Sequence, residues 1–229
     1  AGWVIARRRP AGPGPAGAAA PAADPGCSPT LPKGLFWRRF LVLVVLVVSL
    51  NGTWHFFRVW LPLFFQREHG YSERAANVFF IGYYVAADLG SLAAGFLSLR
   101  LARRGLPVHV GRMVTFFLFA CLTLLSLVAA RLPAGPALWG VLWVIGFGAL
   151  GCFPTYYSFT QELTTRHQGK VTGALGCLSW ISMALLHEGV GKSVEMSGSS
   201  AHAVAWVGLA PLAAFLVIWL FWGRVPTTP

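Results

Sequence analysis

The chain is 229 residues long, with 56% hydrophobic and 11% charged side chains and a mean hydropathy of +0.63. So little charge, under half the roughly 25% of an average soluble domain, cannot cover a water-exposed surface, and so much apolar matter excludes a disordered chain. The net charge of +11 comes from basic residues at the ends of apolar runs, which is a membrane-topology pattern and argues against a nucleic-acid partner.

Residues 1–9 read as the end of a preceding transmembrane helix: a short apolar stretch closed by Arg7, Arg8 and Arg9. A secretory signal would carry its basic cluster before the apolar part, not after it. Residues 10–39 read as a cytoplasmic linker, because Pro10–Lys33 is almost wholly Pro, Ala and Gly, with seven prolines, a composition that forms extended or flexible chain. Six apolar runs follow, at about 40–65, 75–99, 112–130, 136–159, 170–191 and 202–223. Each approaches or exceeds the roughly 20 residues that cross a bilayer core. At this length only helices satisfy the backbone in lipid. The predicted fold is therefore all-α, a polytopic six-helix bundle over residues 40–224 with a short tail at 225–229. Cys121, Cys152 and Cys177 fall inside apolar runs and no two of the four cysteines form a CxxC pair, so they read as packing residues and predict no metal site.

Loop charge sets the orientation. With the N-terminal segment inside, the cytoplasmic side holds thirteen basic residues, among them Lys33, Arg38, Arg39, Arg100, Arg103, Arg104 and Arg112. The other side holds four: Arg67, Arg74, Arg131 and Lys192. Both ends are expected in the cytoplasm of a cell that places the chain in its plasma or inner membrane. Arg58 lies within a run and is not explained by topology.

Polar side chains inside a span cost about 2.5–3.5 kcal/mol if ionised at its centre, so they face a cavity or a partner. In the first span Asn51, His55, Arg58 and Pro62 share one stripe at helical spacing. The stripe reads as a wall of an aqueous path, with Arg58 either pairing a substrate anion, or snorkelling to the outer surface, or held by Asp88 or Glu68. In the second span Asn77, Tyr84, Asp88, Ser91 and Gly95 share a face, and Asp88 is a candidate proton or ion carrier near mid-span or a structural partner for the first span. The fourth span carries Gly140, Gly146, Gly148, Gly151 and Pro154, which predict close packing and bending, then Tyr156 and Tyr157 as cavity candidates. The fifth opens on a GxxxG, Gly169–Gly173, another close-packing signal, and bears His187 and Glu188 toward its outer end. There is no GxSxG, HExxH, P-loop or GxGxxG, so neither an enzyme nor a cofactor is expected.

The order of a helix tail, a basic flank, a linker, six spans and a basic tail resembles the C-terminal half of the major facilitator superfamily. The loop after the second span resembles that superfamily's cytoplasmic signature at Gly95, Arg100, Arg103 and Arg104, with Leu99 at the acidic position and Ala102 at the second glycine. Trp60-Leu61-Pro62, Phe64, Gly70-Tyr71-Ser72 and Gly169–Gly173 resemble the anion:cation symporter branch of hexuronate and glucarate permeases. The resemblance implies a secondary transporter working by alternating access. It further implies a small organic anion as substrate, co-transported H+ or Na+, the lipid bilayer as surroundings, and an N-terminal six-helix half as missing partner. A six-span membrane enzyme using His55 and Asp88, and a transporter-derived sensor that binds without transporting, are the alternatives.

Overall fold

The computed structural model describes residues 32–164, 167–198 and 200–222. The expected helix tail at 1–9, the linker up to residue 31, Arg166 and the tail at 225–229 lie outside the described residues.

Nine helices are described: α1 (Lys33–His69), α2 (Glu73–Arg103), α3 (Val108–Thr123), α4 (Ser126–Ala129), α5 (Pro136–Gly151), α6 (Phe153–Leu163), α7 (Gln168–Ser197), α8 (Ala201–Val207) and α9 (Ala210–Phe221). They make six lengths apolar enough to cross a membrane, with α3–α4, α5–α6 and α8–α9 each forming one. Six helical lengths coincide with the six expected apolar runs, and most extend a few residues further into their charged flanks.

One boundary moves further. Residues 33–39, expected in the linker, are helical, so α1 runs for 37 residues, about 55 Å. Pro32 closes the proline-rich stretch, and no further proline interrupts until Pro62. The added turns are also fastened: Arg39 is buried, its Nε donates to the Trp222 carbonyl at 3.1 Å, and its guanidinium lies 4.8 Å from the Trp222 ring. This clasp ties the start of α1 to the end of α9. The α1–α2 turn follows local chemistry. Gly70 takes the left-handed conformation (φ 64°) that ends α1, and the Ser72 hydroxyl caps α2 by accepting from the Ala75 amide, as expected of glycine and serine at such positions.

Two apolar clusters stack along the bundle. One gathers Leu43, Leu46, Leu50, Phe116, Phe159 and Trp222; the other gathers Phe56, Phe57, Leu61, Phe65, Phe79, Tyr83 and Leu142. Between them is a polar waist. In α1 it falls between Leu50 and Phe56, at Asn51, Thr53 and His55. Two of the three broken spans are interrupted there, at Leu124–Leu125 and at Gly208–Leu209.

The waist is where freed backbone groups are satisfied. Pro211 has no N–H, so the carbonyl four residues before it, Val207, loses its helical donor. Thr53 Oγ1 donates to that carbonyl at 3.1 Å, Thr123 Oγ1 to Gly208 O at 2.7 Å, and Ser126 Oγ to Ala205 O at 2.9 Å. Thr53 and Thr123 also reach carbonyls of their own helices, so each shares its one proton between two acceptors. The backbones can come this close because residue 208 is glycine: a Cβ there would overlap Thr123 O and Ser126 Oγ.

A second tight crossing joins α2 to α5, the most extensive helix pair. A Cβ on Gly90 would overlap the Phe147 carbonyl, and one on Gly146 would meet the Tyr83 ring at 2.7 Å. Trp143 Nε1 reaches across to Phe79 O at 3.2 Å. The close packing expected of Gly146, Gly148 and Gly151 is therefore present, and Gly148 and Gly151 both press on α3. The packing expected of Gly140, Gly169 and Gly173 is not: nothing among the described residues lies within 4 Å of a Cβ at any of them. Small residues permit a close approach but do not bring a second helix to it.

Candidate functional site

The site is built on α1, which most of the bundle wraps. Its buried residues include Leu46, Leu50, Thr53, Phe57, Leu61 and Phe64, and at about 100° per residue these point to one side. Asn51, His55, Arg58 and Pro62 fall on the sector left partly open: Arg58 is exposed, and Asn51, His55 and Pro62 are half-buried. The stripe expected from spacing alone is thus the part of α1 that the bundle does not cover.

Its members differ in how they are held. The Asn51 amide donates back to Val47 O at 2.9 Å, which occupies one donor and leaves its carbonyl oxygen. The His55 ring sits 5.1 Å from the Trp180 ring of α7. Arg58 makes no ion pair among the described residues. Neither expected holder engages it: Glu68 instead accepts from the Ser200 amide at 3.0 Å, and Asp88 is exposed with no ion pair. Arg58 lies one helical turn beyond His55 on the same side of α1. An unpaired guanidinium beside an imidazole, at the edge of an apolar cluster, is a fork of donors without an acceptor and suits a planar anion.

Aromatic side chains frame the stripe on both flanks. Toward α2, Trp54 stacks on Tyr83 at 5.8 Å and meets Tyr84 edge-on at 6.1 Å. Tyr83 is fully buried, yet its hydroxyl has no hydrogen-bond partner among the described residues. Toward α7, Trp60 Nε1 donates to His187 Nδ1 at 3.0 Å. Glu188 pairs with Lys192 one turn on, at the surface at 2.6 Å.

The other sequence candidates scatter. Tyr84 and Asp88 lie on the exposed side of α2, level with the waist, since Asp88 falls between Tyr83 of one cluster and Ala94 of the other. Tyr156 is buried in the first cluster, while its neighbour Tyr157 is 51% exposed. Gly95, Arg100, Arg103 and Arg104 sit at the far end of α2, away from the stripe.

Two features escaped the sequence reading. Arg112 of α3 pairs with Glu162 of α6, across 50 residues of sequence. The Trp60–His187 bond spans 127 residues. Periodicity within one helix carries no information about which helix lies opposite.

The family model of the Major Facilitator Superfamily matches residues 1–187 of the chain. The uncharacterized MFS-type transporter YfkL of Bacillus subtilis (strain 168) is 26% identical over 194 residues, covering 81% of the chain and 46% of that protein. The chain therefore spans about half the length of this curated relative.

Proposed function

Because this chain belongs to the Major Facilitator Superfamily, a family of multi-pass membrane transporters, we propose that it is the C-terminal six-helix half of a secondary active transporter moving a small organic anion such as a sugar acid. In this reading both ends face the cytoplasm of the plasma or inner membrane, and a second six-helix half completes the path. Substrate sits near the waist between the halves and is exposed to each side in turn. Transport is coupled to H+ or Na+, and Asp88 is the coupling carboxylate.

One observation carries the reading: the open sector of α1 presents Asn51 and His55 at the bundle's polar waist, and one turn on an Arg58 without an ion pair among the described residues, between two aromatic flanks. Lipid offers no counter-charge to a lone guanidinium at this depth, and a transported carboxylate does.

The test is uptake of labelled glucuronate and glucarate by cells expressing the full-length protein, with Arg58→Lys and Arg58→Ala. Losing one bidentate charge-assisted contact predicts a KM at least about tenfold higher in Arg58→Ala, and a smaller rise in Arg58→Lys, which keeps the charge but not the fork. Unchanged KM and rate in both variants would remove Arg58 from the substrate site. For coupling, Asp88→Asn is expected to flatten the dependence of uptake on pH or on Na+; an unaltered dependence on both would remove Asp88 from that role.

A further inference from the structure

The C-terminal end of α2, the cytoplasmic end in the proposed topology, carries a feature that the transport reading leaves unused. The helix buries Ala76, Phe79, Tyr83, Ala87, Gly90 and Ala94. On the opposite side runs an exposed apolar stripe through Leu89, Leu92 (71%), Phe96 (63%) and Leu99. At 100° per residue this stripe is about 80° from the one bearing Tyr84 and Asp88, so the two faces are separate. The apolar stripe ends in a cavity of about 260 Å³ lined by Phe96, Leu99, Arg100, Arg103 and Arg104.

Those three arginines are uncompensated. The ion pairs among the described residues are Arg112–Glu162 and Lys192–Glu188, so none of the three has a carboxylate partner and Glu162 is already engaged. Position 99, between the stripe and the charges, is a leucine. Asp88, the other carboxylate of this helix beyond its first turn, is twelve residues before Arg100, about 18 Å away along the axis. Three positive charges at the edge of an apolar stripe demand an anion, and the stripe itself demands hydrocarbon.

We propose that this end of α2 is a binding site for an anionic phospholipid, with the headgroup phosphate on Arg100, Arg103 and Arg104 and an acyl chain along Leu99, Phe96, Leu92 and Leu89. The fit is one of length as well as charge. Leu89 to Leu99 covers about 15 Å of helix, half of the roughly 30 Å hydrocarbon core, which is one leaflet. Free phosphate would satisfy the arginines and leave the stripe bare. Basic pockets at helix ends are the expected place for anionic headgroups. The site needs no solute or coupling ion, but it does require that α2 cross the bilayer and that the second six-helix half of the proposed transporter leave this face open to lipid.

Native mass spectrometry of the full-length protein, purified in detergent and mixed with equal amounts of phosphatidylglycerol and phosphatidylcholine, tests the headgroup. Phosphatidylglycerol is expected to be retained at least about tenfold over phosphatidylcholine, as several cationic contacts predict. The triple variant Arg100→Gln, Arg103→Gln, Arg104→Gln should fall below about twofold. The triple lysine variant and Arg74→Gln, which removes a charge from the other end of α2, should keep the preference and so separate charge loss from misfolding. Equal retention by the wild type, or an unchanged preference in the glutamine variant, overturns the site. Displacement of the lipid by millimolar inorganic phosphate overturns it in favour of a soluble anion. Photo-crosslinking from p-benzoylphenylalanine in place of Phe96, carried out in membranes, tests the acyl stripe: a phospholipid adduct supports the site, and a peptide adduct assigns the face to protein instead.

Discussion

The helix interfaces of this bundle are built from two opposite materials. Where α2 crosses α5, and where α4 crosses the α8–α9 break, glycine brings backbone against backbone: Gly90 on the Phe147 carbonyl, Gly208 on Thr123 and Ser126. Where α1 meets α7, side chains make the contact, Trp60 on His187, His55 beside Trp180, and Met183 and Leu186 over Gly52. Backbone-to-backbone crossings have no side chain that can rotate to relieve a shift, whereas aromatic and imidazole rings can repack. The comparison assigns rigidity to the glycine crossings and adaptability to the α1–α7 seam, which is also the seam that carries the candidate site.

The largest expected effect breaks the rigid side. Gly90→Val and Gly208→Val force a branched side chain into a carbonyl and should each cost about 3 kcal/mol or more, read as loss of monodisperse protein or a strongly lowered melting temperature in detergent. Normal melting in both would show that the crossings are looser than described. Next, Thr53→Val leaves the Val207 carbonyl without its donor above Pro211, and should cost about 0.6–1.7 kcal/mol, the range of interhelical hydrogen bonds in membranes. Restoring a residue with an N–H by Pro211→Ala should shrink that cost, because the carbonyl regains its own helical partner. On the adaptable side, Trp60→Phe removes the bond to His187 while keeping the ring, and should lower stability by no more than about 1 kcal/mol. Smallest of all, Gly173→Ala adds a methyl to open space and should change stability by less than about 0.5 kcal/mol. A large loss there would restore the packing role that the GxxxG spacing predicts.

The spans were legible in the sequence because apolar run length answers directly to bilayer thickness. The stripe of Asn51, His55 and Arg58 was legible because helical periodicity alone fixes which residues share a face. Hidden from the sequence were the facts that depend on a neighbour. The start of α1 at Lys33 was masked by the proline-rich stretch before it and is secured by Trp222, 183 residues away. Tyr156 and Tyr157 are adjacent and chemically identical, yet one is buried in the first cluster and the other is exposed. Tyr83 was passed over for Tyr84, although Tyr83 is the one whose buried hydroxyl lacks a partner among the described residues. The breaks at Leu124 and Gly208 fall in apolar runs where composition continues unchanged, and only the carbonyls taken up by Thr53, Thr123 and Ser126 show why they are tolerated.

The central claim is that the uncovered sector of α1 faces water inside the membrane. Cysteine accessibility tests it most directly. With Cys27, Cys121, Cys152 and Cys177 replaced, single cysteines at Asn51, His55 and Arg58 are labelled in intact membranes with a charged, membrane-impermeant thiol reagent, alongside cysteines at Phe56 and Leu92. The account predicts that Asn51→Cys, His55→Cys and Arg58→Cys react while Phe56→Cys, in the apolar cluster, and Leu92→Cys, on the exposed apolar stripe of α2, do not. If the three stripe positions are as silent as Phe56→Cys, the sector faces lipid or protein, and the reading of α1 as the wall of a solute path is wrong.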